Sequence, residues 1–235
     1  MSDTLKSIVF AAVLCLTCSV LLTAASSGLK GIQQQNIALD KQKNILKSVG
    51  LVDEKTPLAA KELQALYSAS IKPLWVDSKG LIVSDAQGES AYLPVYLYMK
   101  EDEIAAYVIP FNSRGLWGEI EGYVAIDNDG STVSGFTVYS HSETPGLGGE
   151  IEKRWFQKNF VGKKIVNRRG EFVSIGIGKR AVSGAVAEAG RLNHVDGISG
   201  ATLTGRYLSS GLRDVLARYE PMSLRLRNNR LKPGS

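Results

Sequence analysis

The run Asp196-Gly197-Ile198-Ser199-Gly200-Ala201-Thr202 sets a hydroxyl behind a glycine-rich turn, where Leu203, Leu208, Leu212 and Leu216 predict that a helix begins. A helix N-terminus carries unpaired N–H groups and the positive end of the helix dipole, so it favours a phosphate. Gly197 and Gly200 allow a sharp turn and close approach of a ligand. A threonine hydroxyl in that position can hold a phosphate or be esterified by one. The plainer alternative is that Ser199 or Thr202 only caps the helix, since Asp-Gly and Ser-Gly are ordinary turn dipeptides.

Two further segments bear on the choice. One is His141-Ser142-Glu143-Thr144-Pro145-Gly146-Leu147-Gly148-Gly149-Glu150-Ile151; the other is Arg114-Gly115-Leu116-Trp117-Gly118. The heptad resembles the flavinylation motif of bacterial flavoproteins that carry FMN as a phosphodiester on its last threonine, here Thr202. The three segments together, in this order, resemble the C subunit of the sodium-translocating NADH:quinone oxidoreductase, and the resemblance covers nearly the whole chain. It implies one N-terminal membrane span, a helical neck and an FMN-binding domain. The implied cofactor residues are Thr202, covalently, with Ser199, Gly200, Ala201, Leu203 and Thr204 around it, and Glu143, Thr144, Leu147, Gly148 and Trp117 from the other segments. It implies no catalytic residue in turnover and no metal site. The implied role is electron relay through covalent FMN between redox centres of neighbouring subunits, on the route from NADH to quinone. A separate Mg-dependent flavin transferase would load the threonine from FAD, releasing AMP. The partners are then the other subunits of a membrane respiratory complex, that transferase, and membrane lipid.

Two rivals stand beside this reading. The G subunit of the Rnf ferredoxin:NAD oxidoreductase shares the attachment motif and the Glu-Thr-Pro-Gly-Leu-Gly loop; the Gly-Leu-Trp element and the length favour the quinone reductase. The other is an anchored extracytoplasmic binding or scaffold domain whose threonine is never modified.

The loop suits a flavin physically. Pro145 and Gly146 make a turn, and Gly148-Gly149 let backbone approach a flat ring. Leu147 can lie on a ring face, and Glu143 and Thr144 can offer polar groups to its edge or ribityl chain. Residues 150–160 then read as a helix with Glu150 at its favourable end. Trp117 is a candidate aromatic wall for the ring, or plain core. Without a ligand the same loop is a helix-entry turn.

These segments need elements to position them. Residues 7–29 carry no charge over 23 positions between Lys6 and Lys30, enough for a spanning helix of roughly 20 residues. A cleaved signal peptide is the alternative, with Thr23-Ala24-Ala25 as processing site, but the long run and weakly charged flank favour a retained anchor. Lys30, Lys41, Lys43 and Lys47 after the span, against Lys6 before it, would put the large domain in the cytoplasm. The family resemblance implies the periplasmic face of the bacterial inner membrane, and we adopt that expectation because a long translocated domain can override a small charge bias. Cys15 and Cys18, the only cysteines, lie inside the span and read as packing residues.

Beyond the span, residues 30–55 read as a helical neck, 56–220 as the FMN-binding domain and 221–235 as a basic tail. Thr56-Pro57 predicts a helix start running to about residue 68. Strands are expected at 81–84, 92–99, 105–110, 120–127 and 132–139, with another at 172–175. Asp127-Asn128-Asp129-Gly130 suits a hairpin that pairs residues 123–126 with 136–139. The fold class is α+β, a mostly antiparallel sheet with packed helices.

Composition narrows the function classes. The net charge is +5; from Arg206 onward, seven positive residues face two negative ones. No aromatic residue interleaves with the basic tail, which argues against nucleic acid and for solvent, anionic lipid or an acidic neighbour. His141 and His194 are too few for a dedicated metal site, and Ser140 and Ser183 lack a nucleophile-elbow setting. Gly146-Leu147-Gly148 fails as a dinucleotide fingerprint, because Ile151 stands where the third glycine belongs.

Overall fold

The computed structural model describes residues 2–53, 58–83, 91–178 and 190–228. Thr56, Pro57, Ser84, Ser183, Arg230 and Lys232, all used in the sequence reading, lie outside the described residues. The chain divides into two units, residues 1–40 and 41–235. Helix α1 (Asp3–Ser48) begins in the first and ends in the second. The expected span and residues 30–48 of the expected neck are therefore one uninterrupted helix, with no proline in it to break it. By length and composition α1 can cross a membrane, and none of its apolar stretch is buried.

In the second unit, helix α2 (Ala60–Ser70) opens with Ala59 N–H donating to Glu62 Oε2 at 3.0 Å. It leads into a six-stranded antiparallel sheet ordered β2-β1-β3-β4-β5-β6. The strands are β1 (Ile71–Val76), β2 (Ile82–Val83), β3 (Leu93–Lys100), β4 (Glu103–Arg114), β5 (Glu119–Asp127) and β6 (Val133–Ser140). A turn over 127–132 joins β5 to β6, and the partners include Tyr123 with Thr137 and Val124 with Phe136, as the hairpin reading expected. Strand β1 is not among the strands expected from the sequence, and Pro73 falls within it. Among the described residues, β2 pairs with Trp75 and Val76 of β1, and β3 pairs with β1 along its length, Pro73 lying opposite Tyr96.

The structure departs from the sequence reading in three more places. No regular strand forms at 172–175: Ser174 has a φ of 65°, and Val173 and Ser174 both donate to Ile165 O. The strand falls instead at β7 (Gly176–Gly178), parallel to β8 (His194–Asp196). The single helix expected at 150–160 is broken at Lys153, which is extended at φ −78°, ψ 141°. Helix α3 (Arg154–Gln157) therefore stands as one short turn between two 3-10 turns, Gly148–Glu152 and Lys158–Phe160. Finally, helix α4 (Thr202–Arg227) runs on past Pro221, with Met222 and Leu226 buried. Residues 221–227 thus belong to a packed helix, not to a solvated tail; their apolar contacts outweigh the hydrogen bond that proline removes.

Leu208, Leu212 and Leu216 recur every four residues along one face of α4 and are at most 1 % exposed. They join Tyr107, Ile109, Phe111, Ile120, Val124 and Phe136 in the core cluster on one face of the sheet. Phe136 stacks on Phe111 at 5.2 Å and on Phe160 at 3.9 Å, which fixes the turns after the 141–151 loop against the sheet. The opposite face receives the end of α1: Thr137 Oγ1 donates to Asn44 O at 3.3 Å, and Gly135 lies so near Ser48 that a Cβ would meet its carbonyl at 1.9 Å.

Candidate functional site

Helix α4 starts where it does because Gly200 is left-handed, at a φ of 79°, and Ala201 sits at φ −117°, ψ 39°. Ala201 N–H closes the turn onto Ile198 O at 3.1 Å, and Ala201 O accepts Gly205 N–H at 3.0 Å, the first helical bond. The capping position therefore falls on Ala201, which has no side-chain oxygen and makes no cap bond. Neither Ser199 nor Thr202 serves as the cap. The opening N–H groups keep their dipole and their capacity to bind an anion, and Thr202, the first helical residue, is exposed.

Around this end lies a cavity of about 590 Å³. Residues 197–202 line it with Gly176, Ile177, Gly178, Gly205, Arg206 and Ser209. Ser199, Gly200, Ala201 and Thr202 from the sequence reading thus come together on one wall. Ser209 ties the opposite strand to the helix: its hydroxyl accepts Ile177 N–H at 2.8 Å and donates to Gly205 O at 2.7 Å. Leu147 reaches Gly200 from the other loop, so close that a Cβ there would meet its Cδ2 at 2.8 Å. Leu147, Leu203 and Trp117 are all solvent-exposed, Trp117 at 69 %. Thr144 is exposed too, and its carbonyl accepts Leu147 N–H at 3.1 Å and Gly149 N–H at 2.9 Å, which shapes the loop.

Glu143 and Thr204 take a different place from the one expected. Glu143 is only 5 % exposed and Thr204 2 %, and Thr204 Oγ1 donates to Glu143 Oε2 at 2.5 Å. The other oxygen, Oε1, accepts Leu116 N–H at 2.7 Å and Trp117 N–H at 3.1 Å. The carboxylate therefore faces the protein interior and joins three segments that are remote in sequence. Gly148 is buried beside this pair. His141 Nδ1 accepts Glu143 N–H at 3.1 Å, and its Nε2 lies 3.3 Å from Glu152. The Lys153 ammonium, against an opposing effect of burial and with help from His141, holds the Glu152 carboxyl below its ordinary range.

Sequence reasoning missed Arg206, Ser209 and the Gly176-Ile177-Gly178 strand as parts of this site. For Arg206 a signal was present, since it lies one helical turn after Thr202. No local pattern marks β7, which meets the helix only through tertiary packing. Among the described residues, no cluster of three metal-ligating side chains occurs.

An α+β domain with an open cavity at an uncapped helix start is the class that these features define. The FMN-binding domain family matches residues 115–217, the stretch that holds the three segments apart from Arg114. Over its length the chain is similar to the C subunit of the Na(+)-translocating NADH-quinone reductase of Yersinia pestis, 32 % identical across 97 % of this chain and 95 % of the relative. It is 35 % identical to the C subunit of the Haemophilus ducreyi reductase, across 85 % of this chain and 84 % of that one. A crystal structure of the C subunit from Parabacteroides distasonis superposes with a TM-score of 0.70 at 31 % identity, covering 83 % of this chain and 96 % of the other. The NqrC structure from Shewanella oneidensis has a TM-score of 0.67 at 23 % identity and supports the fold alone. The chain belongs to the C-subunit family of Na(+)-translocating NADH-quinone reductases.

Proposed function

We propose that this chain is the electron-carrying FMN subunit of a membrane Na(+)-translocating NADH-quinone reductase, and that its FMN is joined as a phosphodiester to Thr202. The observation that carries the proposal is the exposed Thr202 hydroxyl on the first residue of an uncapped helix, at the rim of a cavity of about 590 Å³. That volume falls within the range of cofactor pockets, roughly 300–1,000 Å³.

The residues present fit FMN. The N–H groups at the start of α4 and the Arg206 guanidinium favour the negative charge of a phosphodiester. The left-handed Gly200 keeps the turn free of a Cβ that would run into Leu147. Exposed Leu147, Leu203 and Trp117 offer apolar contact for a flat ring. During maturation a flavin transferase would join the Thr202 oxygen to the FMN phosphorus of FAD; the bond to AMP breaks and the hydroxyl proton leaves with AMP. The bound flavin supplies electron transfer, while the protein supplies position and electrostatics. A covalent tether retains the cofactor at an edge open to a partner. We infer that α1 spans the inner membrane once, with the flavin domain on the periplasmic side among the other subunits of the complex.

The test is flavin fluorescence in a denaturing gel after co-expression with a flavin transferase. Wild type should fluoresce and Thr202→Ala should be dark, with little change in thermal midpoint, since one exposed hydroxyl is lost. A Thr202→Ala band as bright as wild type would sink the attachment site. A dark wild-type band, with a transferase active on a known substrate, would leave an anchored binding domain.

A further inference from the structure

We propose that Glu143 and Thr204 form a buried latch that positions the acceptor threonine, so that both are positioning residues and not ligands of the flavin; this rests on the reading of Thr202 above. The latch has three arms. Glu143 Oε1 gathers the Leu116 and Trp117 N–H groups at 2.7 and 3.1 Å, Glu143 Oε2 takes the Thr204 hydroxyl at 2.5 Å, and Glu143 N–H donates to His141 Nδ1 at 3.1 Å. Thr204 lies two residues beyond Thr202, in the same turn of α4. The bond therefore pins the first turn of the helix to the loop that carries Leu147 and to the turn that carries Trp117.

Local geometry leaves little choice but this arrangement. A Cβ at Gly115 would stand 2.5 Å from Glu143 Oε1. One at Gly148 would stand 2.4 Å from Oε2 and 2.7 Å from the Thr204 hydroxyl. Two glycines thus make room for one carboxylate. The turn beside it closes with Gly115 N–H donating to Gly118 O at 2.6 Å. A buried carboxylate that loses a donor is left under-satisfied at a real energetic cost, so the three segments hold or loosen together. Transfer to an oxygen needs that oxygen placed to within a fraction of an ångström, and small misplacements slow such reactions steeply. The latch fixes the backbone on which the Thr202 hydroxyl rides, while leaving Thr202 itself open to the transferase.

The test uses the full-length chain in detergent with purified flavin transferase, FAD and Mg²⁺. Three variants are compared with wild type: Thr204→Val, which removes the hydroxyl at nearly constant volume; Thr204→Ser, which keeps it; and Leu216→Val, a core change remote from the latch. The turnover rate of covalent labelling at saturating transferase should fall about tenfold or more in Thr204→Val. It should stay within about twofold of wild type in Thr204→Ser, because the donor is retained. Leu216→Val should label normally at temperatures where it is folded, even if its thermal midpoint falls as far. Amide hydrogen exchange on the flavin-free chain supplies a second readout: Thr204→Val should speed exchange at Leu116 and Trp117. Unchanged exchange there, or labelling of Thr204→Val at the wild-type rate, would overturn the latch. Slowing in Thr204→Val no greater than in Leu216→Val at matched thermal loss would overturn it as well. Labelling of Thr202→Ala would instead remove the attachment site itself, and the exchange result would still report on the coupling.

Discussion

At the C-terminal end of α4, the buried Tyr107 and Ser223 hydroxyls sit 2.6 Å apart, Tyr219 donates to Pro94 O at 2.6 Å, and Arg227 donates to Gly130 O at 2.8 Å. At the N-terminal end, Thr202 and Leu203 face solvent and no side chain caps the helix. Burial pushes the Tyr107 and Tyr219 phenols well above their ordinary range, so both stay neutral donors. Gly80 and Gly130 are left-handed where the chain passes α4 so closely that a Cβ would meet Met222 N at 2.4 Å or Ser223 O at 2.3 Å. The C-terminal end is held by packing and satisfied hydrogen bonds; at the N-terminal end Thr204 is held by Glu143 while the opening N–H groups stay uncapped. A rigid element that is fixed at its far end can present an unsatisfied terminus without fraying, which is how a site stays both open and well placed.

Breaking the open end should have the largest effect on function. Gly200→Val puts a β-branched residue at a φ of 79°, with its Cβ 2.8 Å from Leu147 Cδ2. The left-handed conformation alone costs about 1–2 kcal/mol. Covalent flavin labelling should disappear and the thermal midpoint should drop modestly, as read by gel fluorescence and a melting curve. Normal labelling would mean that the glycine serves the turn alone.

The anchored end should respond in the opposite sense. Gly130→Ala meets the Ser223 carbonyl and a φ of 64°, so stability in urea should fall by about 2 kcal/mol or more. Labelling should survive wherever the variant is folded. Loss of labelling in the folded variant would show that the two ends are coupled along the helix.

The smallest effect sharpens the same contrast through pH. Asp129, next to Gly130, accepts the Ser131 and Thr132 N–H groups at 2.7 Å and both their hydroxyls. Burial raises its pKa, but these bonds outweigh burial and hold the carboxyl down at about 2, against 3.8 in an ordinary setting. A folded pKa below the unfolded one means that the ionised form favours folding. That contribution is complete above 3.8 and is lost as pH falls through about 2. The urea midpoints of wild type and Asp129→Asn should therefore differ near neutral pH and converge in acid. Because Asp129 is partly exposed, the difference should be small. A constant offset down to pH 2 would assign the effect to geometry, not charge.

Much of this contrast can be read along the chain where its cause is local. The apolar run at 7–29, the turn at 127–130, the four-residue repeat of Leu208, Leu212 and Leu216, and the glycine turn before Thr202 each depend on residues a few positions apart. Backbone sterics, chain length and periodicity suffice there, and Thr202 falls at the helix start that its neighbours predict. The rest needed the folded chain. Strand β1 runs through Pro73 because β3 pairs with it along its length, and β7 is a strand through its pairing with β8. Residues 221–227 are helical because their apolar side chains meet the sheet. Glu143 shows the division most clearly. By residue type it was a candidate to face a ligand, yet Leu116, Trp117 and Thr204, from 26 to 61 positions away, turn its carboxylate inward. Hydrogen-bond demand is local to a side chain, but the donors that meet it are chosen by tertiary packing.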